Sequence, residues 1–272
     1  MPEIKKSKVR FTWNIAYQCN YRCSYCFFEG KWEEYGKRTV CLSPEKWIEH
    51  WQRIYDQYGP PYIVITGGEP FCYPNFIELI KKLSMISEHI NISSNSSGNL
   101  KKFVKEIDPK NVSLSLSFQP EFDRLGDFIE RLLFVRRHKF DGCINFVAYP
   151  PFLKDIRYYA DKIRAIGEEL KIIPFWGSYE GVDYPSGYSR AEKEGIGINE
   201  DWFKKVRKKG RACQAGHKAA LIFPDCKVAR CGQIGEKALV GNFLDPDFKL
   251  SGRPLPCDAE ACPCDEDEVW PG

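Results

Sequence analysis

The chain has no run of about 18 apolar residues, so nothing in it reads as a membrane-spanning helix. Its first residues, Met1-Pro2-Glu3-Ile4-Lys5-Lys6, open no apolar stretch of signal-peptide length. A soluble, cytoplasmic protein without a membrane partner is expected. Charge of one sign is also lacking: 40 Lys and Arg against 37 Asp and Glu leave a net +3. A nucleic-acid-binding surface usually carries a far larger basic excess, so no nucleic-acid partner is expected. Low-complexity segments are missing too, and charged residues at 28% do not describe a disordered chain.

What the chain has in excess is cysteine, twelve in 272 residues. In a reducing compartment clustered cysteines bind metal or do chemistry more often than they pair as disulfides. Three fall within 19–26 and six within 213–264; only Cys41, Cys72 and Cys143 are scattered. Hydrophobic content of 43% and aromatic content of 14% suffice for a packed core, and the length allows one large domain or a domain with an appendage.

Hydrophobic periodicity organises residues 9–175. Residues 9–17, 62–66, 89–94, 112–118, 143–149 and 170–175 read as short buried strands. Between them 44–58, 75–87, 99–106, 123–138 and 155–167 place apolar residues at helical spacing, the first opened by Ser43-Pro44 as cap and first turn. Strands alternating with helices predict a parallel sheet with right-handed crossovers, either an open barrel or a doubly wound sheet. After Phe175 the composition shifts. Residues 176–200 read as a surface loop, 201–210 as a short basic helix, and Ala219–Phe223 and Lys227–Arg230 as strands around the turn Pro224-Asp225-Cys226. Residues 265–272 read as a loose acidic tail.

The first cysteine group reads Cys19-Asn-Tyr-Arg-Cys23-Ser-Tyr-Cys26, three thiols on one loop after a strand. Structural zinc usually takes two close cysteine pairs, and a cubane held by three cysteines is left one ligand short. A zinc or structural cluster completed by a distant residue stays open on spacing alone. With Tyr25 just before the last cysteine, the spacing resembles the signature of the radical S-adenosylmethionine (radical SAM) superfamily. The resemblance covers roughly residues 8–176. It implies a partial (β/α)6 TIM-like barrel, and a [4Fe–4S] cluster on Cys19, Cys23 and Cys26 whose fourth iron binds S-adenosylmethionine. The implied reaction is reductive cleavage to a 5′-deoxyadenosyl radical that abstracts a hydrogen atom from substrate, chemistry that needs a cofactor. Gly67-Gly68-Glu69-Pro70, ending the second strand, resembles the family's motif for the methionine amino group. Two glycines let a backbone approach a ligand closely, and Glu69 can accept from an ammonium. With Tyr25, the polar strand-end residues Ser94, Asn95, Ser115 and Ser117 are further expected cofactor contacts; serines bonding their own backbone are the plainer alternative. The fifth strand, Asn145–Pro150, departs from the Gly-x-Ile-x-Gly-type stretch of many members.

Cys213, Cys226, Cys231, Cys257, Cys262 and Cys264 form the second group. Cysteine, hairpin, cysteine and further cysteines resemble the family's SPASM/Twitch extension, which implies one auxiliary [4Fe–4S] cluster. Cys213 and Cys231 are expected ligands, with two of Cys257, Cys262 and Cys264; a four-cysteine zinc site is the alternative. Cys226, at the hairpin turn, is a candidate hydrogen-atom donor or a tolerated small apolar residue. The expected division is a barrel at 1–176, a linker at 177–210 and a cysteine-rich β-hairpin extension at 211–272. Lys204, Lys205, Arg207, Lys208, Lys209 and Arg211 form a solvated face or a dock for a flavodoxin or ferredoxin-type donor. The aromatics Phe175, Trp176, Tyr179, Tyr184 and Tyr188 line a pocket or pack a junction. Oxidation or epimerisation of a small polar, sugar-like substrate is the expected outcome. Modification of a peptide, and a non-catalytic iron–sulfur or zinc carrier, are the alternatives.

Overall fold

The structure is a computed structural model and describes residues 9–26, 32–198, 209–259 and 262. Six strands alternate with helices: β1 (Arg10–Ala16), β2 (Tyr62–Gly67), β3 (His89–Ser94), β4 (Val112–Ser117), β5 (Ile144–Ala148) and β6 (Leu170–Pro174). Each pairs in parallel with the next. The helices are α1 (Trp32–Gly36), α2 (Pro44–Tyr58), α3 (Phe76–Leu83), α4 (Leu100–Glu106), α5 (Leu125–Arg137) and α6 (Ile156–Arg164). This is the partial (β/α)6 barrel, in which, among the described residues, β6 ends the sheet and meets no closing strand.

Alternation in the strands sorts two chemistries onto two faces. Outward, Phe11, Trp13, Ile63, Ile65, Ile90, Ile92, Leu114 and Leu116 are fully buried under the helices. Inward, the in-register rows on β1 to β4 are mostly polar: Thr12, Asn91 and Ser113 share a row with Val64, and Asn14 pairs with Thr66, Ser93 with Ser115 and Ser117 with Asn145, while Val147 and Ile173 are apolar on β5 and β6. Closed barrels of this kind usually fill their interior with branched apolar side chains; this interior is built for hydrogen bonding. Under α2, Trp13 meets Trp47 and Trp51 at centroid distances of 4.7 and 5.5 Å. Ser43 caps α2 by accepting from Lys46 N, with Pro44 in the first turn, as its sequence predicts.

Three readings need adjustment, and a fourth falls outside the described residues. Residues 176–198 are not a plain loop. They fold as a hairpin, β7 (Gly177–Tyr179) with β8 (Val182–Tyr184), and a short helix, α7 (Arg190–Gly195), opened by a Ser189–Glu192 capping box. Tyr188 ties this segment to the barrel, donating to Ala148 O (2.6 Å) and accepting from Phe175 N (2.8 Å). Helix α3 stops at Leu83, because the chain turns there and leaves Met85 exposed. The expected basic helix at 201–210 lies outside the described residues, apart from Lys209 and Gly210.

The cysteine-rich hairpin, finally, continues the barrel sheet. Strand β9 (Ala212–Cys213) precedes β10 (Ala219–Ile222), which pairs in parallel with β1; β11 (Lys227–Ala229) and β12 (Leu239–Asn242) follow antiparallel. Phe243 then packs on Trp51 (4.7 Å), and Arg53 donates to Phe243 O (2.6 Å). Strand β13 (Leu255–Pro256) returns to pair with β9. Among the described residues no helix is long and apolar enough to cross a membrane.

Candidate active site

The loop that carries Cys19, Cys23 and Cys26 leaves the C-terminal end of β1, where β2 also ends. Two backbone bonds fasten them: Gly68 N donates to Ala16 O and Glu69 N to Gln18 O, both at 2.8 Å. The glycines make this possible. A Cβ on Gly68 would stand 2.6 Å from the carbonyl carbon of Gln18 and 2.8 Å from Tyr17 O. Gly67 has φ +128°, which side chains rarely adopt, and its missing Cβ would strike Ala16 O. The backbone that this pair admits is therefore the protein's own cysteine loop.

Glu69 is buried at 1% exposure. Its Oε1 accepts from Phe71 N (3.1 Å) and Ser94 Oγ (2.8 Å), and its Oε2 from Asn95 N (2.7 Å). Burial pushes its carboxyl up, against the pull of these three donors. No cation pairs with it among the described residues, and a carboxylate has about four acceptor positions, so one is left.

Cys19, Cys23 and Cys26 line one cavity of about 160 Å³. Its opposite walls are Thr66, Ser93 and Ser117 from the inner faces of β2, β3 and β4, with Gly67, Gly68, Ser94, Asn95 and Gln119 at the strand ends. Cys26 N donates to Cys23 O (3.1 Å) and Tyr21 N to the Cys19 sulfur (3.4 Å). Burial pushes the thiols up, Cys19 to about 11 and Cys23 to about 12. Among the described residues no three Cys, His, Asp or Glu side chains converge as a single ion requires. A cubane needs no such convergence, since each thiolate binds a different iron.

A strap after β4 holds this loop. Tyr25 OH donates to Gln119 Oε1; Ser24 donates to Glu121 from its N (2.9 Å) and its Oγ; Tyr21 OH donates to Asp123 Oδ1 (3.2 Å) and its ring stacks on Phe122 at 4.6 Å. Arg131 pairs with Asp123 and donates to Ser96 Oγ (2.9 Å). On the other side Asn95 Nδ2 donates to Asn20 Oδ1 (3.0 Å). At the mouth, Tyr25 meets Tyr149 (5.1 Å), which packs against Phe175 (5.1 Å) and Tyr179 (5.2 Å).

The expected cofactor contacts thus separate. Tyr25, Gly67, Gly68, Glu69, Ser94, Asn95 and Ser117 gather at or beside the cavity. Ser115, in register with Ser93, does not line it: its Oγ accepts from Asn91 Nδ2 (3.0 Å) and Cys143 N (3.1 Å). Cys226 does not line this cavity either. It is 1% exposed, at φ +64°, in the apolar layer with Ile222 and Val228 on the α2 side of the sheet. Burial pushes its thiol up to about 12. A thiol packed there fits the plainer reading of a small apolar residue.

In the C-terminal group, Cys213, Cys257 and Cys262 share a small buried cluster, with Cys231 packed against it. The β9–β13 ladder sets Leu255 opposite Cys213, Cys257 N donates to Arg211 O (2.8 Å), and Ala215 N donates to the Cys213 sulfur (3.4 Å). Cys264 lies outside the described residues. Sequence reasoning missed Asn20, Gln119, Glu121, Asp123, Tyr149 and Arg230. Only Arg230, a lone cation beside Cys231, and Tyr149, an aromatic at a strand end, carried a local signal.

The profile of the Radical SAM superfamily matches residues 13–149. GTP 3′,8-cyclase of Aquifex aeolicus is 26% identical over 176 residues, covering 60% of this chain and 55% of that protein. The antilisterial bacteriocin subtilosin biosynthesis protein AlbA of Bacillus subtilis is 23% identical over 267 residues, covering 88% and 58%. The chain thus spans little more than half the length of these relatives. Among solved structures, native anSMEcpe with bound AdoMet and Cp18Cys peptide superposes with a TM-score of 0.66 at 14% identity, over 87% of this chain and 78% of that one. That likeness is one of fold. The profile match takes in the cysteine loop, the two glycines and the strand ends around them, and the chain belongs to the radical SAM superfamily, whose enzymes use S-adenosylmethionine and a [4Fe–4S] cluster.

Proposed function

We propose that the chain abstracts a hydrogen atom from a polar substrate held in the barrel lumen, with a second [4Fe–4S] cluster at the other end of β1. The carrying observation is the single cavity at the C-terminal strand ends, lined by three thiols and by Gly67, Asn95 and Ser117. Three soft donors on one cavity, with Cys72 nearby but not lining it, fit a cubane with an open iron. Cys19, Cys23 and Cys26 would hold it. When bound, the cluster and S-adenosylmethionine supply one-electron cleavage of a sulfonium bond and a 5′-deoxyadenosyl radical.

The protein's own groups fit the rest of that cofactor. The remaining acceptor of Glu69 suits an ammonium, because a buried carboxylate with three neutral donors still wants a cation. Ser117 and Asn95 face the same cavity and offer hydroxyl and amide groups to a carboxylate or ribose. The aromatic wall of Tyr25, Tyr149, Phe175 and Tyr179 screens the mouth from water. Below, Asn91, Ser113, Ser115 and Asn145 present a hydrogen-bonding interior, which supports a polar substrate, sugar-like or otherwise, oxidised or epimerised there. Cys213, Cys231, Cys257 and Cys262 are the four ligands that the C-terminal grouping favours. Residues 211–272 form an extension in ligand function, although β10, β11 and β12 belong to the barrel sheet.

A second reading, modification of a peptide, draws support from the alignment with AlbA, a bacteriocin biosynthesis protein, over nearly the whole chain. An acidic flavodoxin or ferredoxin is the expected electron donor under either reading, since reduction needs an external source. Anaerobically reconstituted protein with dithionite and S-adenosylmethionine is expected to form 5′-deoxyadenosine, and the Cys19→Ala protein none. No product from protein with full iron and sulfide would replace the catalytic reading with that of an electron carrier. Deuterium transfer into 5′-deoxyadenosine from labelled polar metabolites, or from labelled peptides, separates the two substrate classes.

A further inference from the structure

Arg230 is 8% exposed and immediately precedes Cys231. Its Nε donates to Ala215 O (3.2 Å), two residues after Cys213. Its Nη2 donates to Leu255 O (3.2 Å) and Pro256 O (2.9 Å), and its Nη1 to Asp258 Oδ2 (3.0 Å), so the contacts bracket Cys257. One fork thus joins the three backbone segments that carry Cys213, Cys231 and Cys257. The chain makes room for it at Gly216, where a Cβ would stand 2.9 Å from the Arg230 Cγ.

The charge balance of this fork is unequal. Three of its four partners are neutral carbonyls, and the one carboxylate, Asp258, is 65% exposed. A guanidinium held mostly by dipoles in a buried site carries a desolvation cost that a screened outer partner offsets only in part. The same charge is favourable once an anion arrives. Four thiolates on a [4Fe–4S] cluster leave a net negative group, more negative still when reduced.

We propose that Arg230 is the organising cation of the auxiliary cluster: it fixes the spacing of the cysteine segments and, by its charge, raises the cluster's reduction potential. This rests on Cys213, Cys231, Cys257 and Cys262 being the ligands. Net charge and hydrogen bonding near the sulfurs are the protein's main levers on such potentials, and a positive charge in a low-dielectric surround favours the more negative, reduced state.

The test uses the full chain with Cys19, Cys23 and Cys26 all replaced by Ala, so that only the auxiliary cluster is read. Iron, acid-labile sulfide and an EPR redox titration are measured on anaerobically reconstituted protein. The background is expected to hold about four irons. Arg230→Gln in that background is expected to lower the midpoint potential and to speed iron loss to a chelator. Arg230→Lys, which keeps the charge and loses the fork, is expected to restore the midpoint while iron loss stays fast. Arg230→Gln with full iron and an unchanged midpoint overturns the role of Arg230 and leaves the ligand assignment standing. If Arg230→Gln holds no iron, Arg230→Lys decides: a retained cluster at the background midpoint supports the charge, and a lost one overturns it. A background chain without iron overturns the ligand assignment, and the role of Arg230 with it.

Discussion

Replacing Gly68 by alanine tests whether the glycine pair serves the cysteine loop. Gly68 has no left-handed φ, so the substitution changes space and little else. The new Cβ would lie 2.6 Å from the carbonyl carbon of Gln18 and closer to its oxygen, where ordinary contact begins near 3.4 Å. The end of β2 and residues 17–18 must therefore part by roughly 1 Å or more, as overpacked sites do. Glu69 N to Gln18 O and Gly68 N to Ala16 O, both 2.8 Å, cannot survive that separation. Two broken backbone bonds cost about 1–3 kcal/mol each, and overpacking costs about as much again as one of them, so the total is roughly 3–9 kcal/mol. That is a large share of the stability of a typical domain.

The displaced residue next to Gln18 is Cys19, so iron content reports the loss more directly than stability does. Gly68→Ala is expected to lower the urea midpoint of the apoprotein and to cut iron and sulfide loading at the N-terminal site. The control is Gly126→Ala on α5, where a Cβ meets nothing within 4 Å. It is expected to be neutral or to stabilise by about 0.5–1 kcal/mol, because a helix favours Ala over Gly. Gly68→Ala protein with native iron and a native urea midpoint would refute the packing argument, and the glycines would then have to be explained by a ligand alone.

Three further outcomes are expected. Tyr73→Phe removes the hydroxyl that accepts from Trp47 Nε1 (2.7 Å) and Leu42 N (3.1 Å); a urea midpoint lowered by the equivalent of about 1–3 kcal/mol checks it. Asp123→Ala cuts the strap from Tyr21 and leaves Arg131 half-paired, so the cluster should be lost faster to a chelator, and the apoprotein should lose roughly 2–4 kcal/mol, near the low end for a buried pair. Burial lowers the pKa of His89, which folds neutral beside Ser113 Oγ (2.8 Å). Its contribution to stability is therefore complete above the unfolded value near 6.5, and falls as pH drops below it because only the unfolded imidazole then gains a proton. His89→Gln should flatten that part of the melting-temperature profile between pH 7.5 and 5.5, and an unchanged slope would mean that other groups set it.

The barrel was legible because its two periods are clean. Trp47, Trp51 and Ile54 recur at helical spacing on α2, and Phe11, Trp13 and Ile15 alternate on β1, since one face of each is apolar and the other is not. The thiols and Gly67-Gly68-Glu69 were legible because local spacing fixes them. Residues 176–198 were not, since the hairpin and α7 hold few apolar positions and owe their place to single contacts such as Tyr188 with Ala148. The strap was invisible for another reason. Gln119, Glu121 and Asp123 read as an ordinary polar turn, and only the fold carries them to Tyr25, Ser24 and Tyr21, about 100 residues away. The burial of Cys226 was not legible because nothing local shows that this turn lies against the core.

The position of the hairpin constrains how the two cysteine groups can work together. Cys19 follows the C-terminal end of β1. Cys213 precedes β10, which runs parallel to β1, and Cys231 follows β11, which runs back. The two groups therefore lie toward opposite ends of a seven-residue strand, about 20 Å long. A flexible linker would let that separation vary; here the parallel ladder from Arg10 to Trp13 with Ala219 to Ile222 fixes it, and Phe243 locks the returning chain under α2. The same strand turns Thr12 and Asn14 inward, so the polar lumen runs along the line that joins the groups. On the proposed reading, a substrate bound there would meet the cavity end first, with its far side toward the second group. If the proposed oxidation holds, an electron leaving that substrate would cross a distance set by the backbone hydrogen bonds between β1 and β10.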